Sequence, residues 1–292
     1  MSAGYRYLLR LGDVTLDLSS RTHIMGILNV TPDSFSDGGR FLKGSKAGIE
    51  VDLAVEAALR MAEDGADIID VGGESTRPGA ATIPEAEEME RVLPVIEGIR
   101  KATGVPVSID TRNAATAKSA ALAGASMIND VSGLSYDPDM VSVAASTGAA
   151  LVIMHMKGTP ADMQAAPYYD DLVGEVAGFL ADAASKAIAS GVAKEKILID
   201  VGIGFGKTAG HNLALINRLD EFATLGFPMV LGVSRKAFIG TLTGVKDPSD
   251  RLEGSVAAAV LGIARGAHVI RVHDVKAARR AALVADSVLR SV

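Results

Sequence analysis

Eight short apolar runs, each followed by a helix-like stretch, constrain this chain more than any other feature. They occupy residues 24–30, 67–71, 105–109, 126–128, 150–154, 196–199, 228–232 and 268–272. Each is rich in Val or Ile and almost continuously apolar, as strands of a parallel sheet buried on both faces must be. The stretches between them carry a helical period. In the first, Val51, Ala54, Val55, Ala58, Met61 and Ala62 share one face, while Glu50, Asp52, Glu56 and Arg60 fall mostly on the other. Pro84 is expected at the first position of the second helix, where acidic Glu85, Glu87 and Glu88 suit the positive end of the helix dipole. Longer helices are expected over 171–190, 251–265 and 275–290. Eight such units favour an α/β fold of the (β/α)8 TIM-barrel type over an open doubly wound sheet. Residues 5–18 alternate around Gly12-Asp13 and read as a β-hairpin that closes the barrel bottom. No linker or low-complexity stretch interrupts the pattern. The expectation is one domain over 1–292, with the hairpin in 1–20 and the barrel in 24–292.

Composition narrows the function classes. The 292 residues are 48% hydrophobic, ample for a large core, and the net charge is −6. A mildly acidic chain has no general electrostatic reason to bind nucleic acid. With no cysteine, neither a disulfide framework nor a thiolate metal site is available. No apolar run reaches the roughly 18 residues a membrane span needs. Residues 1–7 lack a basic flank followed by an apolar stretch, so no secretory leader is expected and the cytoplasm is the default location.

In a barrel of this kind, chemistry sits where the strands end. The eight runs lead to Asn29, Asp70, Asp110, Asn129-Asp130, His155, Asp200, Ser234-Arg235-Lys236 and Arg271 with His273. Taken singly, each is an ordinary turn former or helix cap, and Asp70 and Asp130 are expected to be such scaffolding. Together they would converge on one pocket. Asp110 and Asp200 can accept N–H groups from a flat heterocycle, Asn129 can both donate and accept, and Lys236 can donate to a ring heteroatom. Arg77, Arg235, Arg271 and His273 suit an anion such as phosphate. The site therefore reads as bipolar.

Two loops are rich in turn residues and longer than ordinary connections of about 2–6 residues. One runs from Thr31 to Gly39 and the other from Gly72 to Gly79; both are candidate lids. Gly202-Ile203-Gly204-Phe205-Gly206-Lys207-Thr208 matches neither a Walker A loop nor a dinucleotide fingerprint. It suits close backbone approach to a ligand, with Phe205 as an apolar wall. His155, His23, His211 and His268 lack paired metal-ligand spacing and are expected to be hydrogen-bonded structural residues.

The motifs, in order, carry a resemblance. Met25-Gly26-Ile27-Leu28-Asn29-Val30-Thr31-Pro32-Asp33-Ser34-Phe35-Ser36-Asp37-Gly38-Gly39 resembles the first signature of the dihydropteroate synthase family, and Asp70-Val71-Gly72-Gly73-Glu74-Ser75-Thr76-Arg77-Pro78-Gly79 resembles the second. Ser108-Ile109-Asp110-Thr111, Ile128-Asn129-Asp130-Val131, Met154-His155-Met156, Ser234-Arg235-Lys236 and Arg271-Val272-His273-Asp274-Val275 follow in family order. The resemblance implies a (β/α)8 barrel that joins 6-hydroxymethyl-7,8-dihydropterin diphosphate to p-aminobenzoate, releasing pyrophosphate, by a dissociative mechanism. It also implies use of Mg2+, inhibition by sulfonamides and a homodimer. Carried over by motif, Asp110, Asn129, Asp200 and Lys236 would hold the pterin, with Met154, Phe205 and Gly232 lining its slot and Arg271 stacked on its face. Asn29 would sit at the metal. Arg77, Arg271 and His273 would face the diphosphate, and Phe35, Thr76, Pro78, Ser234 and Arg235 would surround p-aminobenzoate. Asp110, Asp200, Lys236 and Arg77 are the implied catalytic set. One departure from the family pattern is Val201, where a proline is usual; it bears on loop rigidity more than on Asp200 itself.

Three alternatives stay open at this level. A methyltetrahydrofolate methyltransferase-like barrel shares the carboxylates but should lack the Thr76-Arg77-Pro78 loop and the diphosphate cations. A non-catalytic pterin-binding paralogue should have a broken ring, and none of its members is missing. A sulfonamide-insensitive synthase would differ only in loop detail.

Overall fold

The computed structural model of the protein describes residues 6–31, 51–75, 82–159 and 162–291. The chain enters through an antiparallel hairpin of β1 (Leu8–Leu11) and β2 (Val14–Asp17). Gly12 turns it with φ +60, a conformation a two-residue hairpin loop demands and glycine adopts freely. Eight parallel strands then close into a barrel: β3 (His23–Asn29), β4 (Ile68–Gly72), β5 (Val107–Asp110), β6 (Met127–Asp130), β7 (Ala150–Met154), β8 (Ile197–Asp200), β9 (Met229–Gly232) and β10 (Val269–Val272). Neighbours in sequence are neighbours in the sheet, and β10 closes onto β3. Around them lie α1 (Val51–Glu63), α2 (Glu85–Ala102), α3 (Ala114–Leu122), α4 (Met140–Thr147), α5 (Leu172–Ala189), α6 (Ala209–Asn217), α7 (Ala237–Thr243), α8 (Leu252–Ala264) and α9 (Val275–Leu289). This is the expected (β/α)8 TIM barrel.

The strand period of two sorts every barrel residue to one of two faces. Outward positions such as Ile24, Ile69, Ile109, Ile128, Ile153, Ile199, Leu231 and Val272 join one large cluster with the helices. Inward positions near the strand starts are also apolar. Met25, Ile68, Met127, Val152, Leu198, Val230 and Val269 form a second cluster, which Leu9, Leu11 and Leu18 of the hairpin segment cover. The hairpin therefore plugs the bottom, as its alternation suggested. Toward the strand ends the inward row turns polar, with Asp70, Asp110, Asn129, Asp200 and Arg271 in step with the apolar inward residues below them.

Several boundaries differ from the sequence reading by one or two residues. The expected strands 105–109 and 126–128 become Val107–Asp110 and Met127–Asp130, so the polar ends lie inside the ladder. Backbone pairing is indifferent to side-chain polarity when that side chain faces a cavity. Pro84 is the N-cap of α2 rather than its first helical residue, with φ −60 and ψ 142. Its carbonyl still accepts from the amides of Glu87 and Glu88.

Candidate active site

The inward strand ends meet around Asp70. Its Oδ2 accepts from Arg271 Nε at 2.6 Å and from Asn129 Nδ2 at 3.0 Å. Arg271 also donates through Nη2 to Asp110 Oδ2, and Asp110 is the register partner of Asn129. One fully buried carboxylate thus binds two residues from two other strands, and Arg271 links it to a third, Asp110. The Asp110 carboxyl is pushed up from the usual range, chiefly by burial, against the opposing pull of Arg271. Arg271 itself is raised: burial works against its charge, and the fields of Asp70 and Asp110 outweigh it.

Across the mouth lies Asp200, the register partner of Met154. Burial raises its pKa, offset by the Gly202 amide that donates to Oδ1 at 2.7 Å and by the charge of Lys236. Lys236 sits with Nζ 4.2 Å from the centre of the Phe205 ring, a cation–π arrangement. Burial lowers its pKa to about 8, reinforced by Arg271 and opposed by Asp200 and Asp110. Phe205, Met154, Val131 and Met163 form a small apolar cluster at this side. Gly232 pairs in register with Arg271, and a Cβ there would point to within 3.9 Å of Asp200 Oδ2. The missing side chain leaves that face of the cavity open.

The loop after β8 is held by hydrogen bonds rather than by a proline. Val201 is buried in the outer core. Gly202 has φ +68, and any Cβ there would lie 1.9 Å from the His155 carbonyl, so only glycine fits. Gly204 donates to Asn212 Oδ1 at 2.8 Å, and Tyr169 donates to the Gly206 carbonyl at 2.8 Å. Lys207, absent from the sequence-derived set, is 2% exposed. Its Nζ donates to the Phe205 carbonyl at 3.0 Å and lies 2.9 Å from His155 Nδ1. Burial lowers Lys207 to about 7, and burial with the neighbouring Lys207 charge lowers His155 to about 3. His155 is thus a hydrogen-bonded structural residue on the outward side of its strand end, and His23 and His268 at the strand starts are hydrogen-bonded as well. His211 closes the capping box of α6 with Thr208. Asp130 likewise faces outward and fixes its own loop, accepting from the amides of Ser132 and Leu134 and from the Ser132 hydroxyl.

The third sector is cationic. Ser234 Oγ accepts from the His273 amide at 3.2 Å and lies 3.0 Å from His273 Nδ1. Burial, aided by Arg235 and Arg271, lowers His273 to about 3, so the ring is neutral rather than the cation its sequence position suggested. Arg235 is ion-paired with Asp274 through Nε at 3.0 Å and Nη2 at 2.7 Å. Asn29 ends β3, and a Cβ on Gly72 beside it would lie 3.6 Å from its Oδ1. A cavity of about 1050 Å³ runs over this surface. Asn29, Asp110, Phe205, Gly232, Ser234, Arg235, Lys236, Arg271 and His273 line it. Asn129, Met154 and Asp200, at 4, 4 and 5% exposure, are not part of that lining. Outward, the cavity continues past Arg60, Lys276 and Arg280.

Phe35, Thr76, Arg77 and Pro78 lie outside the described residues, as do most of the two candidate lids. A second missed residue is Arg112, beside the second loop. It donates to both oxygens of Glu74, at 3.1 and 3.0 Å, and to Thr82 Oγ1 at 3.2 Å. Among the described residues no cluster of three or more His, Cys, Asp or Glu could hold a metal.

A family model for pterin binding enzymes matches residues 25–273. The dihydropteroate synthase of Escherichia coli (strain K12) is 47% identical over 275 residues, 94% of this chain and 94% of that protein. Among solved structures, the Yersinia pestis dihydropteroate synthase with a sulfonamide drug complex superposes with TM-score 0.91 at 44% identity, covering 98% of this chain and 100% of that one. The Xanthomonas albilineans dihydropteroate synthase with 4-aminobenzoic acid does so with TM-score 0.89 at 44% identity, covering 98% and 99%. Ring, fold and relatives agree: the chain belongs to the dihydropteroate synthase family of pterin binding enzymes.

Proposed function

We propose that the polar ring at the barrel mouth joins 6-hydroxymethyl-7,8-dihydropterin diphosphate to p-aminobenzoate, giving 7,8-dihydropteroate and pyrophosphate. The observation that carries this reading is the gathering of two buried carboxylates, Asp110 and Asp200, with two cations, Arg271 and Lys236, at the strand ends of one barrel mouth, with Asp200 just beneath the cavity that the other three line. Carboxylates accept the N–H edge of the pterin, Asn129 and Lys236 complete its recognition, and Met154, Phe205 and Gly232 flank its plane. The described end of the p-aminobenzoate side is Ser234 with Arg235; Phe35, Thr76 and Pro78 complete it in this reading.

The diphosphate belongs at Arg271, His273 and Asn29, with Arg77 from the second loop. With the Ser234 hydroxyl as donor to His273 Nδ1, the tautomer this reading assigns, the ring proton is on Nε2, where a neutral imidazole offers one N–H to a phosphate oxygen. The donor set also fits Mg2+. Magnesium keeps several waters and takes few protein ligands when phosphates supply the rest, and Asn29 Oδ1 is a hard oxygen donor at the ring. Bound there, the ion would neutralise charge on the departing diphosphate.

The chemistry breaks the bond between the pterin methylene and the diphosphate oxygen, and the electron pair leaves with pyrophosphate. The methylene cation delocalises into the pterin, where Asp110 and Asp200 supply negative charge in their ionised forms, which the developing cation itself favours. The arylamine nitrogen then forms the new carbon–nitrogen bond with its lone pair, and the resulting arylammonium gives its proton to the released pyrophosphate or to water. An aromatic amine is nucleophilic without deprotonation, so the ring requires no strong base. In this reading the enzyme is a cytoplasmic homodimer, and sulfonamides bind it in place of p-aminobenzoate. Asp110→Asn is expected to lower turnover at least about tenfold, ~1.4 kcal/mol, with the melting temperature little changed. Near-normal turnover in the purified variant would remove Asp110 from the mechanism.

A further inference from the structure

Asp70 lies one pleat below the ligand-facing residues, is fully buried, and would touch neither substrate. Its bonds nevertheless decide what those residues present. A carboxylate only accepts, so Asn129 must turn its Nδ2 toward Asp70. That fixes the amide and leaves Asn129 Oδ1 as the acceptor for a ligand N–H. The same Asp70 oxygen takes Arg271 Nε, and Asp110 takes Nη2. The guanidinium plane is thereby set, and Nη1 is left for an anion. Asp70 Oδ1 has no hydrogen-bond partner among the described residues. Two residues from distant strands are thus both oriented by a single oxygen atom.

We propose that Asp70 is a positioning residue that couples the heterocycle half of the site to the diphosphate half, acting through Asn129 on one side and Arg271 on the other. This rests on the reading that Asn129 meets the pterin and Arg271 the diphosphate. The two halves can be probed separately, with 6-hydroxymethylpterin for one and inorganic pyrophosphate for the other, by titration calorimetry on the full-length protein. Asp70→Asn keeps the shape, loses the charge and allows Asn129 to flip. It is expected to weaken both probes by about tenfold or more, as loss of an orienting partner does elsewhere. Charge alone would do the opposite for pyrophosphate, because deleting a buried anion strengthens binding of another anion nearby.

Double variants identify the route. In an Asn129→Ala background, Asp70→Asn should change pterin affinity by less than about twofold, and in an Arg271→Ala background it should leave pyrophosphate affinity as little changed. Additive losses, unchanged affinities in folded Asp70→Asn, or tighter pyrophosphate binding would each overturn the proposal. If Asn129→Ala and Arg271→Ala themselves leave their probes unaffected, the underlying assignment fails and the role of Asp70 falls with it, an outcome distinct from additivity. Should Asp70→Asn not fold, side-chain amide and guanidinium NMR of the unmutated protein decides. Slow exchange of the Asn129 Nδ2 and Arg271 Nε protons, with and without pyrophosphate, supports the proposal; exchange at the solvent rate overturns it.

Discussion

At the scale of single residues, protonation states set the site apart from a list of polar strand ends. Lys236 titrates near 8 because burial and Arg271 disfavour its charge. Below that pH it is an ammonium that can donate to a pterin acceptor; above it, the charge is lost. The kcat/KM for the pterin diphosphate should therefore fall above pH about 8, approaching tenfold per pH unit. Lys236→Met should have a low kcat/KM and no such limb. A limb of the same position in the variant would assign it to another group. Sequence made Asp110, Asn129, Asp200, Lys236 and Arg271 visible, because ligand chemistry and strand-end position coincide there. It carries no mark of the neutrality of His273, which comes from burial beside Arg235 and Arg271. It also undervalued Asp70, whose partner Arg271 is 201 positions away; no local pattern encodes such a pair. Lys207 was hidden for a related reason. Its position after three glycines reads as loop, whereas its ammonium is folded back onto the carbonyl of Phe205.

At the scale of elements, the two-residue period does the sorting. It separates Asn129 from Asp130 and Met154 from His155, which the sequence places side by side at the strand ends. The first of each pair belongs to the inward row and the second to the loop or outer shell. Strand alternation is legible in sequence, but in a run apolar on both faces the parity has no outward mark, so the inward side emerges only on closure of the barrel. The hairpin carried its mark openly, in Gly12-Asp13 flanked by alternating residues. It closes the end of the barrel opposite to the chemistry. Leu9 is 1% exposed and packs in the bottom cluster. Leu9→Ala should therefore cost about 2–5 kcal/mol in urea unfolding, while the folded variant keeps its kcat. A large loss of kcat with little loss of stability would show that the bottom and the mouth are not separable in this way.

At the scale of the whole molecule, the barrel holds two opposite chemistries over one bond. In the proposed reading its mouth gathers carboxylates where positive charge is to develop and cations where negative charge is to depart, on eight strands that hold them in place before any ligand arrives. The net charge of −6 obscures this, since the cations that matter lie inside one cavity. The most direct test is to incubate the purified protein with the pterin diphosphate, p-aminobenzoate and Mg2+, following pyrophosphate and 7,8-dihydropteroate together. Pyrophosphate released in step with dihydropteroate, and dependent on p-aminobenzoate, is the predicted result. Pterin diphosphate that binds but yields neither product would contradict it.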